Sequence, residues 1–257
     1  MRQIHSTAIV SMQSQLGDDV IVGPYTIIED DVIVGAGTKI ASNVLIASGT
    51  RIGNNVKISH GAVLGTQPQD LKFAGEKTLL TIGDGTTIRE YATLNRGTQA
   101  TGETRLGQNC FIMAYAHVAH DCHIGNNVIM ANSVNLAGHI EIDDYAILGG
   151  VLPVHQFVKI GCHCMIGGGF RVQQDVCPYS LVGGYPLKVV GINSVGLRRR
   201  GFKREVLHTL ESTFKILFFS NLNTTQAVQR IKDEIEPIPE VKTILDFVER
   251  SGRGMVK

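Results

Sequence analysis

Aliphatic side chains recur at every sixth position from Ile4 to Val172, and the positions between them are mostly polar or small. The frame fails only at Asp70, Glu76 and Ala100. An α-helix repeats about every 3.6 residues and a strand about every two, so neither element alone produces a period of six. One aliphatic residue in six predicts a short strand and a turn in each repeat, with the aliphatic side chain pointing inward.

Three consecutive repeats are expected to close one triangular coil. Residues 18 apart in the sequence would then lie directly above one another, at a strand spacing of ~4.8 Å. The predicted fold class is therefore all-β plus α, with a parallel β-helix over residues 1–190. The breaks in the frame predict loops inserted near residues 66–80 and 97–105, because solenoids accept insertions at their turns.

Residues 191–257 lack the six-residue pattern and are predicted to form a C-terminal α-helical domain. Apolar residues take helical spacing in Lys203–Ser220. Thr224 or Thr225 is expected to cap a second helix, and a third is expected after Pro239. The last coil of a solenoid exposes unpaired strand edges, so a helical cap at this end is expected on physical grounds.

The composition narrows the possible functions. A hydrophobic content of 43% excludes a disordered chain, and a net charge of +1 provides no basic field for nucleic acid. The 29 glycines and the absence of tryptophan suit a fold of tight turns and small stacked side chains. The five cysteines lack paired spacing, and no export signal or long apolar segment is evident. We therefore expect a cytoplasmic protein that is not integral to a membrane.

Histidines gather along one predicted edge of the coil. Counting in steps of 18 places His120, Gly138 and Gln156 at one corner, with His117 and His155 beside it. His139 follows Gly138 at the same corner, whereas a solvated surface would scatter such residues. Turns have no special need for imidazole, so this edge is predicted to be functional.

The corner combines groups suited to acid–base chemistry. Imidazole titrates near neutrality and can act as a general base. Gly138 is expected one coil above His120, where its N–H could donate a hydrogen bond to a developing oxyanion. Asp121 adjoins His120 and lies beneath His139, so it could orient either ring. Counting back from Val118 reaches the frame break at Ala100, so residues 99–105 are expected to emerge beneath this corner.

A metal site is the alternative interpretation of these histidines. His117, His120 and His123 form an H-x-x-H-x-x-H pattern, which would suggest metal binding on a helix. In the predicted coil His117 lies before the corner and His123 after it, so the three side chains do not converge easily. No metal site is therefore predicted, although ligation across subunits, as in hexapeptide-repeat carbonic anhydrases, remains an alternative.

Several segments carry a more specific signature. Together they resemble the UDP-N-acetylglucosamine O-acyltransferases of lipid A synthesis over essentially the whole chain. The resemblance implies a left-handed parallel β-helix of hexapeptide repeats with a C-terminal helical domain. It also implies a homotrimer of parallel prisms, with active sites in the clefts between subunits. The segments are QDLKFAGE (69–76), IREYATLNRGT (88–98), AHVAHDC (116–122), AGHIEIDD (137–144), HQF (155–157) and GINSVGLRRRGF (191–202).

The resemblance assigns roles to the corner residues. His120 would be the general base that deprotonates the sugar 3-hydroxyl, Asp121 would orient His120, and the Gly138 N–H would stabilise the oxyanion. The donor would be a (R)-3-hydroxyacyl chain on the phosphopantetheine of acyl carrier protein. No cofactor is implied, because the positioned hydroxyl attacks the thioester directly.

The resemblance also implies a set of binding residues. Those for the sugar are Gln69, Asp70, Lys72, His117 and His139. Those for the nucleotide are His155, Gln156, Asn193 and Arg200. Gly168 resembles the position that limits acyl length. The implied partners are acyl carrier protein, UDP-N-acetylglucosamine and two further copies of the chain.

Three departures leave the acceptor open. Asn95 stands where better-known members have histidine, Val195 stands where they have an acidic residue, and residues 183–191 also differ from their pattern. A 3-amino analogue of the sugar, which would give an amide, is therefore an alternative acceptor.

Other functions are less well supported by the pattern. The later N-acyltransferase family of the same pathway carries an additional N-terminal domain, whereas this coil begins at Ile4. Coenzyme A-dependent hexapeptide acetyltransferases do not share the segments quoted above. An ice-binding solenoid needs an outward ladder of threonines, but Thr26, Thr38 and Thr50 are predicted to point inward.

Overall fold

The computed structural model describes residues 1–257, and most of them form a coil of very short parallel strands. The strands of the coil are β1 (Gln3–Ile4), β2 (Ile9–Val10), β3 (Gln15–Leu16), β4 (Ile21–Val22), β5 (Ile27–Ile28), β6 (Ile33–Val34), β7 (Lys39–Ile40), β8 (Leu45–Ile46), β9 (Thr50–Ile52), β10 (Lys57–Ile58), β11 (Val63–Thr66), β12 (Leu79–Ile82), β13 (Thr87–Ile88), β14 (Thr93–Asn95), β15 (Glu103–Leu106), β16 (Phe111–Ile112), β17 (His117–Val118), β18 (His123–Ile124), β19 (Ile129–Met130), β20 (Asn135–Leu136), β21 (Glu141–Ile142), β22 (Ile147–Leu148), β23 (Pro153–Val154), β24 (Lys159–Ile160) and β25 (Met165–Ile166). An antiparallel pair, β26 (Ser180–Gly183) and β27 (Lys188–Ile192), follows them.

Three sheets form the faces of the coil, because each strand pairs with the strand three later in the chain. We call them sheet A (β1, β4 and so on to β25, then β26 and β27), sheet B (β2 to β23) and sheet C (β3 to β24). Phe111 pairs with Ile129 in sheet A, and His117 pairs with Asn135 in sheet B. These pairs are 18 residues apart, so the predicted parallel β-helix and its period are confirmed.

The aliphatic residues of the repeat fill the interior. Val118 and Leu136 are at most 1% exposed. The position four residues after each aliphatic residue also points inward, and at Cys122 its side chain is fully buried. The last corner residue of many repeats has a left-handed backbone, including His139 (φ 59°) and Phe157 (φ 65°). Residues with a bulky side chain adopt this conformation at an energetic cost. A bulky residue that keeps it at a corner is therefore a candidate for a functional role.

The two inserted loops change the register of the coil. Ile58 pairs with Ile88, and Leu94 pairs with Val118, so each affected coil is longer than 18 residues. Leu94, rather than Ala100, therefore lies beneath Val118, and the register predicted there was wrong. The chain leaves β14 after Asn95 and returns at β15, which places the inserted loop 96–102 beneath the histidine corner.

Four helices follow the coil: α1 (Ser194–Arg199), α2 (Arg204–Phe218), α3 (Thr224–Glu234) and α4 (Pro239–Arg250). The predicted boundary at residue 190 falls inside β27. The cap of α3 is Asn223, whose side chain accepts the Gln226 N–H at 2.9 Å. The cap predicted at Thr224 or Thr225 was therefore wrong, because an asparagine one residue earlier completes a capping box.

Contacts with the coil hold the helices in place. Arg250 of α4 forms ion pairs with Glu141 and Asp143 on the coil. Asp175 accepts hydrogen bonds from the side chain of Ser251 and the backbone of Arg253. None of the four helices is long and apolar enough to cross a membrane.

Candidate active site

His120 lies almost buried at the corner between sheets B and C, with 7% of its surface exposed. Its Nδ1 is 2.7 Å from Oδ2 of Asp121. A neutral ring that donates from Nδ1 to this carboxylate leaves the lone pair of Nε2 free to accept a proton. A Cβ added to Gly138 would lie 2.5 Å from Cε1 and 2.7 Å from Nε2 of His120. Glycine at this position therefore makes room for the ring.

Asp121 is 3% exposed, yet its carboxylate is fully hydrogen-bonded. Thr98 donates its backbone N–H to Oδ1 at 3.0 Å and its hydroxyl to Oδ2 at 2.7 Å, and Thr101 donates its hydroxyl to Oδ1. Burial by itself would raise the pKa, but the hydrogen bonds from Thr101, His120 and Thr98 outweigh it and hold the pKa of Asp121 at about 2. Nε2 of His139 is 3.6 Å from Asp121, so the geometry favours His120 as the ring that Asp121 orients.

The Gly138 amide has no hydrogen-bond partner within the chain. At the next corner of the coil, the Asn126 N–H donates to Oδ1 of Asp144 at 2.6 Å, and the Gln108 N–H donates to Asn126 at 2.8 Å. The histidine corner lacks this ladder of capping side chains. A free N–H therefore lies beside the basic nitrogen of His120, which is the arrangement that an oxyanion-forming reaction requires.

Two further histidines flank this pair. Nδ1 of His117 is 2.7 Å from the hydroxyl of Thr93. Burial, and then the neighbouring His120, lower the pKa of His117. His139 stacks on Phe157 with ring centroids 4.7 Å apart, and burial is the main cause that lowers its pKa. Both rings are therefore neutral at pH 7 and can exchange hydrogen bonds with a hydroxylated ligand.

The loop of residues 67–78 faces the corner across a cleft of about 680 Å³. Six predicted site residues line it: Gln69, Asp70, Lys72, His120, His139 and Gln156. An adjoining cleft of about 440 Å³ is lined by His117 and Gly138. Glu76 connects the two loops, because its carboxylate accepts the N–H groups of Ala74 and Gln99. The side chain of His155 is exposed beside this region.

Three predicted residues lie elsewhere. Asn193 donates to the carbonyl of His163 at 2.9 Å, and Arg200 donates to the carbonyl of Tyr145 at 3.0 Å. Both therefore lie at the corner between sheets C and A. Gly168 follows β25 at the corner between sheets A and B. A single chain does not bring these residues to the histidine corner.

Asn95 begins the loop that supports the site. It is 3% exposed, and its Nδ2 donates to the hydroxyl of Thr66 and to the carbonyl of Gln67, each at 3.0 Å. Asn95 thereby anchors the start of the cleft-lining loop 67–78. Val195, the second departure noted in the sequence, is exposed at the start of α1.

The geometry also bears on the metal alternative. His123 lies on β18 in sheet C and is exposed, away from the ring of His120. The side chains close enough to share an ion are His120, Asp121 and His139. The lone pairs of Asp121 are already occupied by Thr98, Thr101 and His120, so an ion would have to displace these donors.

The motifs assign no role to Thr98 or Thr101, although Thr98 ends the segment IREYATLNRGT (88–98). They belong to the inserted loop, and their relation to Asp121 depends on where that loop leaves the coil. The frame break at Ala100 is the signal that could have found them, because it brings an extra segment beneath the corner.

Comparison with known proteins places the chain among hexapeptide-repeat transferases. The family described as "Bacterial transferase hexapeptide (six repeats)" matches residues 13–48 and 103–138, and that described as "Udp N-acetylglucosamine O-acyltransferase; Domain 2" matches residues 175–256. Two curated proteins named acyl-[acyl-carrier-protein]--UDP-N-acetylglucosamine O-acyltransferase match over 100% of both chains. The protein from Thiobacillus denitrificans is 49% identical, and that from Alkalilimnicola ehrlichii is 50% identical.

Solved structures agree over the same length. LpxA from Acinetobacter baumannii is 42% identical with a TM-score of 0.96 over 99% of both chains. LpxA from Bacteroides fragilis, titled a UDP-N-acetylglucosamine acyltransferase, is 41% identical with a TM-score of 0.97 over 99% of this chain and 100% of that one. The predicted left-handed parallel β-helix with C-terminal helices is thereby confirmed.

Replacing Gly138 by alanine should displace the ring of His120, because the new Cβ would overlap it. We expect the acyl-transfer kcat of Gly138→Ala to fall at least about 100-fold. Gly252→Ala is the matched control, because a Cβ there meets no atom within 4 Å. A kcat for Gly138→Ala within about threefold of the unaltered protein would contradict this account of the corner.

Asp121 should contribute stability that depends on pH. Its folded pKa of about 2 lies below the ordinary value of 3.8, so the folded chain binds this proton less tightly than the unfolded chain. The contribution, about 2 kcal/mol, is present above about pH 4 and is lost as the pH falls through about 2. Denaturant unfolding at several pH values should therefore give a shallower pH dependence for Asp121→Asn. Asp246→Asn, at an exposed position on α4, is the control. An unchanged slope for Asp121→Asn would contradict the assignment.

Proposed function

This chain belongs to the UDP-N-acetylglucosamine O-acyltransferases, the acyl-carrier-protein-dependent transferases of the lipid A pathway, and on this premise we propose its reaction in detail. The chain transfers a (R)-3-hydroxyacyl group from acyl carrier protein to the 3-hydroxyl of UDP-N-acetylglucosamine. His120 is the general base. The observation that carries the proposal is the free Nε2 of His120 beside the unpaired N–H of Gly138.

The reaction is a direct acyl transfer. Nε2 of His120 takes the proton of the sugar 3-hydroxyl as its oxygen bonds to the thioester carbonyl carbon. The carbonyl oxygen becomes an oxyanion and accepts the Gly138 N–H. Collapse breaks the carbon–sulfur bond, and the leaving phosphopantetheine thiolate takes the proton from His120. The donor contributes the thioester and the chain contributes the base, so no resident cofactor is needed.

The hydrogen bond of His120 with Asp121 supports this assignment. The anionic carboxylate fixes the ring with Nε2 toward the cleft, and it stabilises the imidazolium that forms when the base accepts its proton. The low pKa of Asp121 keeps the carboxylate ionised while this happens. The proton therefore stays on the imidazole until the thiolate leaves.

The cleft supplies groups for the sugar. Gln69, Asp70 and Lys72 approach from the loop, and the neutral rings of His117 and His139 line the coil side. These groups can donate to and accept from hydroxyl and amide atoms. Specificity for an acetamido sugar is consistent with this mixture, because unpaired polar groups would penalise a poorer ligand.

The nucleotide and the acyl chain need a second copy of the chain. The outward face of sheet A is apolar in its C-terminal coils and that of sheet B in its N-terminal coils, whereas the outward residues of sheet C are mostly polar. In sheet A the ladder is Phe111, Ile129, Ile147 and Met165, and in sheet B it is Ile9, Ile27, Leu45 and Val63. Both faces become buried when copies of the chain pack around the edge between sheets A and B, so that sheet B of one copy faces sheet A of the next.

A closed homotrimer formed in this way would complete the site. The histidine corner of one copy would lie beside the Asn193 and Arg200 corner of its neighbour, where Nη1 of Arg200 is buried without a partner and could bind a diphosphate. At the height of His117, the facing wall would be the apolar ladder of sheet A, which suits an acyl chain. That ladder ends near Gly168, where a Cβ would lie 2.8 Å from the Gly150 carbonyl oxygen. Stacking on the neighbouring coil thus keeps this end of the ladder free of a side chain, and we assign the limit on acyl length to Gly168.

The carrier protein needs a basic docking surface. Arg198 and Arg199 are exposed in the last turn of α1 and suit an acidic partner. They lie on the same short helix that Asn193 caps. The donor would therefore arrive near the nucleotide side of the proposed cleft.

An acyl-transfer assay tests the reaction. Purified protein should acylate UDP-N-acetylglucosamine from 3-hydroxyacyl carrier protein when transfer is measured at early times. We expect His120→Ala to lose about 10²- to 10⁴-fold in kcat because the base is removed. His123→Ala, an exposed histidine three positions away, is the matched control.

The outcomes separate the reaction from its mechanism. The 3-amino analogue of the sugar nucleotide is the second acceptor tested. If neither acceptor is acylated, the proposed function is wrong. If His120→Ala retains most of the activity, the base is wrong and the reaction stands.

A mixing experiment tests the shared site. His120→Ala and Arg200→Ala chains, carrying different tags, are co-expressed, and the mixed assemblies are purified through both tags. Each mixed trimer should then contain an intact pair of corners at one of its interfaces, about a third of the total, so activity returns well above either single variant. A site contained within one chain predicts no recovery, and that result would refute the shared cleft.

A further inference from the structure

We propose that Thr98 is a positioning residue: its amide and hydroxyl hold the carboxylate of Asp121 in the one orientation that aims His120 at the substrate. The inference rests on the proposed function, since it names what prepares the base of that reaction. Thr98 belongs to the loop 96–102 that interrupts the coil.

The direction of the hydrogen bonds is determined by the geometry. The Thr98 oxygen accepts the Ala100 N–H at 3.2 Å, so its own proton is free to point to Oδ2 of Asp121 at 2.7 Å. The Thr98 amide reaches Oδ1 of the same carboxylate at 3.0 Å. One residue thus contacts both oxygens and resists rotation of the carboxylate about its own axis.

The surroundings of Thr98 make this clamp rigid. Thr98 is 7% exposed, and the adjoining Gln99 amide is held by Glu76 at 3.1 Å. The backbone of Asp121 is fixed separately, because its N–H donates to the hydroxyl of Thr104 at 2.8 Å. The side-chain torsion of Asp121 is therefore the remaining freedom. Thr101 restrains it at Oδ1, and Thr98 restrains it at both oxygens.

Without the Thr98 hydroxyl, the carboxylate of Asp121 could rotate and accept a hydrogen bond from His139 instead of His120. Nε2 of His139 already lies 3.6 Å from Oδ2 of Asp121, against 2.7 Å for Nδ1 of His120. A small rotation would shorten the first distance and lengthen the second. The base would then lose its fixed tautomer, because neither ring nitrogen of His120 would have a preferred partner.

Thr98→Val tests the clamp, because valine keeps the shape and removes the hydroxyl. Thr98→Ser keeps the hydroxyl and removes only a methyl group. Thr86→Val is the matched control: Thr86 is fully buried, and its hydroxyl donates to the Gly107 carbonyl at 3.0 Å, away from the site. We expect Thr98→Val to lower kcat about tenfold with little change in KM for the sugar nucleotide. Thr98→Ser should stay within about threefold.

Two readouts separate positioning from simple structural loss. The fall in kcat should vanish when Thr98→Val is placed in an Asp121→Asn background, because the residue acts only through that carboxylate. Ring ¹⁵N shifts of His120, assigned with His120→Gln, should show Nδ1–H in the unaltered protein and a mixture of tautomers in Thr98→Val. This second readout does not depend on turnover.

Four results would overturn the inference. They are an unchanged kcat and unchanged tautomer in Thr98→Val, an equal fall in the Asp121→Asn background, an equal fall in Thr98→Ser, or the same effects in Thr86→Val. Failure of the proposed function looks different, because the unaltered protein would then transfer no acyl group. In that case the tautomer measurement still decides whether Thr98 holds the dyad.

Discussion

Stacking of one coil on the next by backbone hydrogen bonds is the constraint on which the site depends. The His139 N–H donates to the His120 carbonyl at 3.0 Å, and the Phe157 N–H donates to the Gly138 carbonyl at 3.3 Å. The spacing between coils therefore sets the distance from the basic ring to the amide above it. A site built from a main-chain ladder is more rigid than one built from loops, and rigid placement is what transition-state stabilisation requires.

The excursions turn an exposed corner into an enclosed site. A carboxylate buried to the extent of Asp121 is costly unless its charge is hydrogen-bonded. The loop 96–102 supplies those donors from beneath, and the loop 67–78 closes the opposite wall of the cleft. Departures from the repeat thus support the chemistry, while the repeat itself supplies the rigid frame. The left-handed backbone at His139 is a further local cost that the frame sustains.

The three faces of the coil serve different purposes. Sheets A and B carry outward apolar residues, and sheet C is bound to the helical region through ion pairs such as Arg250 with Glu141. The proposed assembly would give the apolar faces and the separated corners one common explanation. Residues that are distant within a single prism, such as His120 and Arg200, would become neighbours around the edge between sheets A and B. The polar sheet would then lie at the outside of the assembly.

The six-residue period by itself determined the coil, the inward aliphatic residues and the stacking of His120 beneath Gly138. These follow because a period of six and a strand ladder leave little choice of geometry. Only the tertiary structure decided that Leu94 lies beneath Val118, that Thr98 binds Asp121, and that Arg200 lies at another corner. Inserted loops and helices have no fixed period, so their lengths cannot be converted into heights along the coil. Their positions are set by long-range contacts, which a local pattern does not contain.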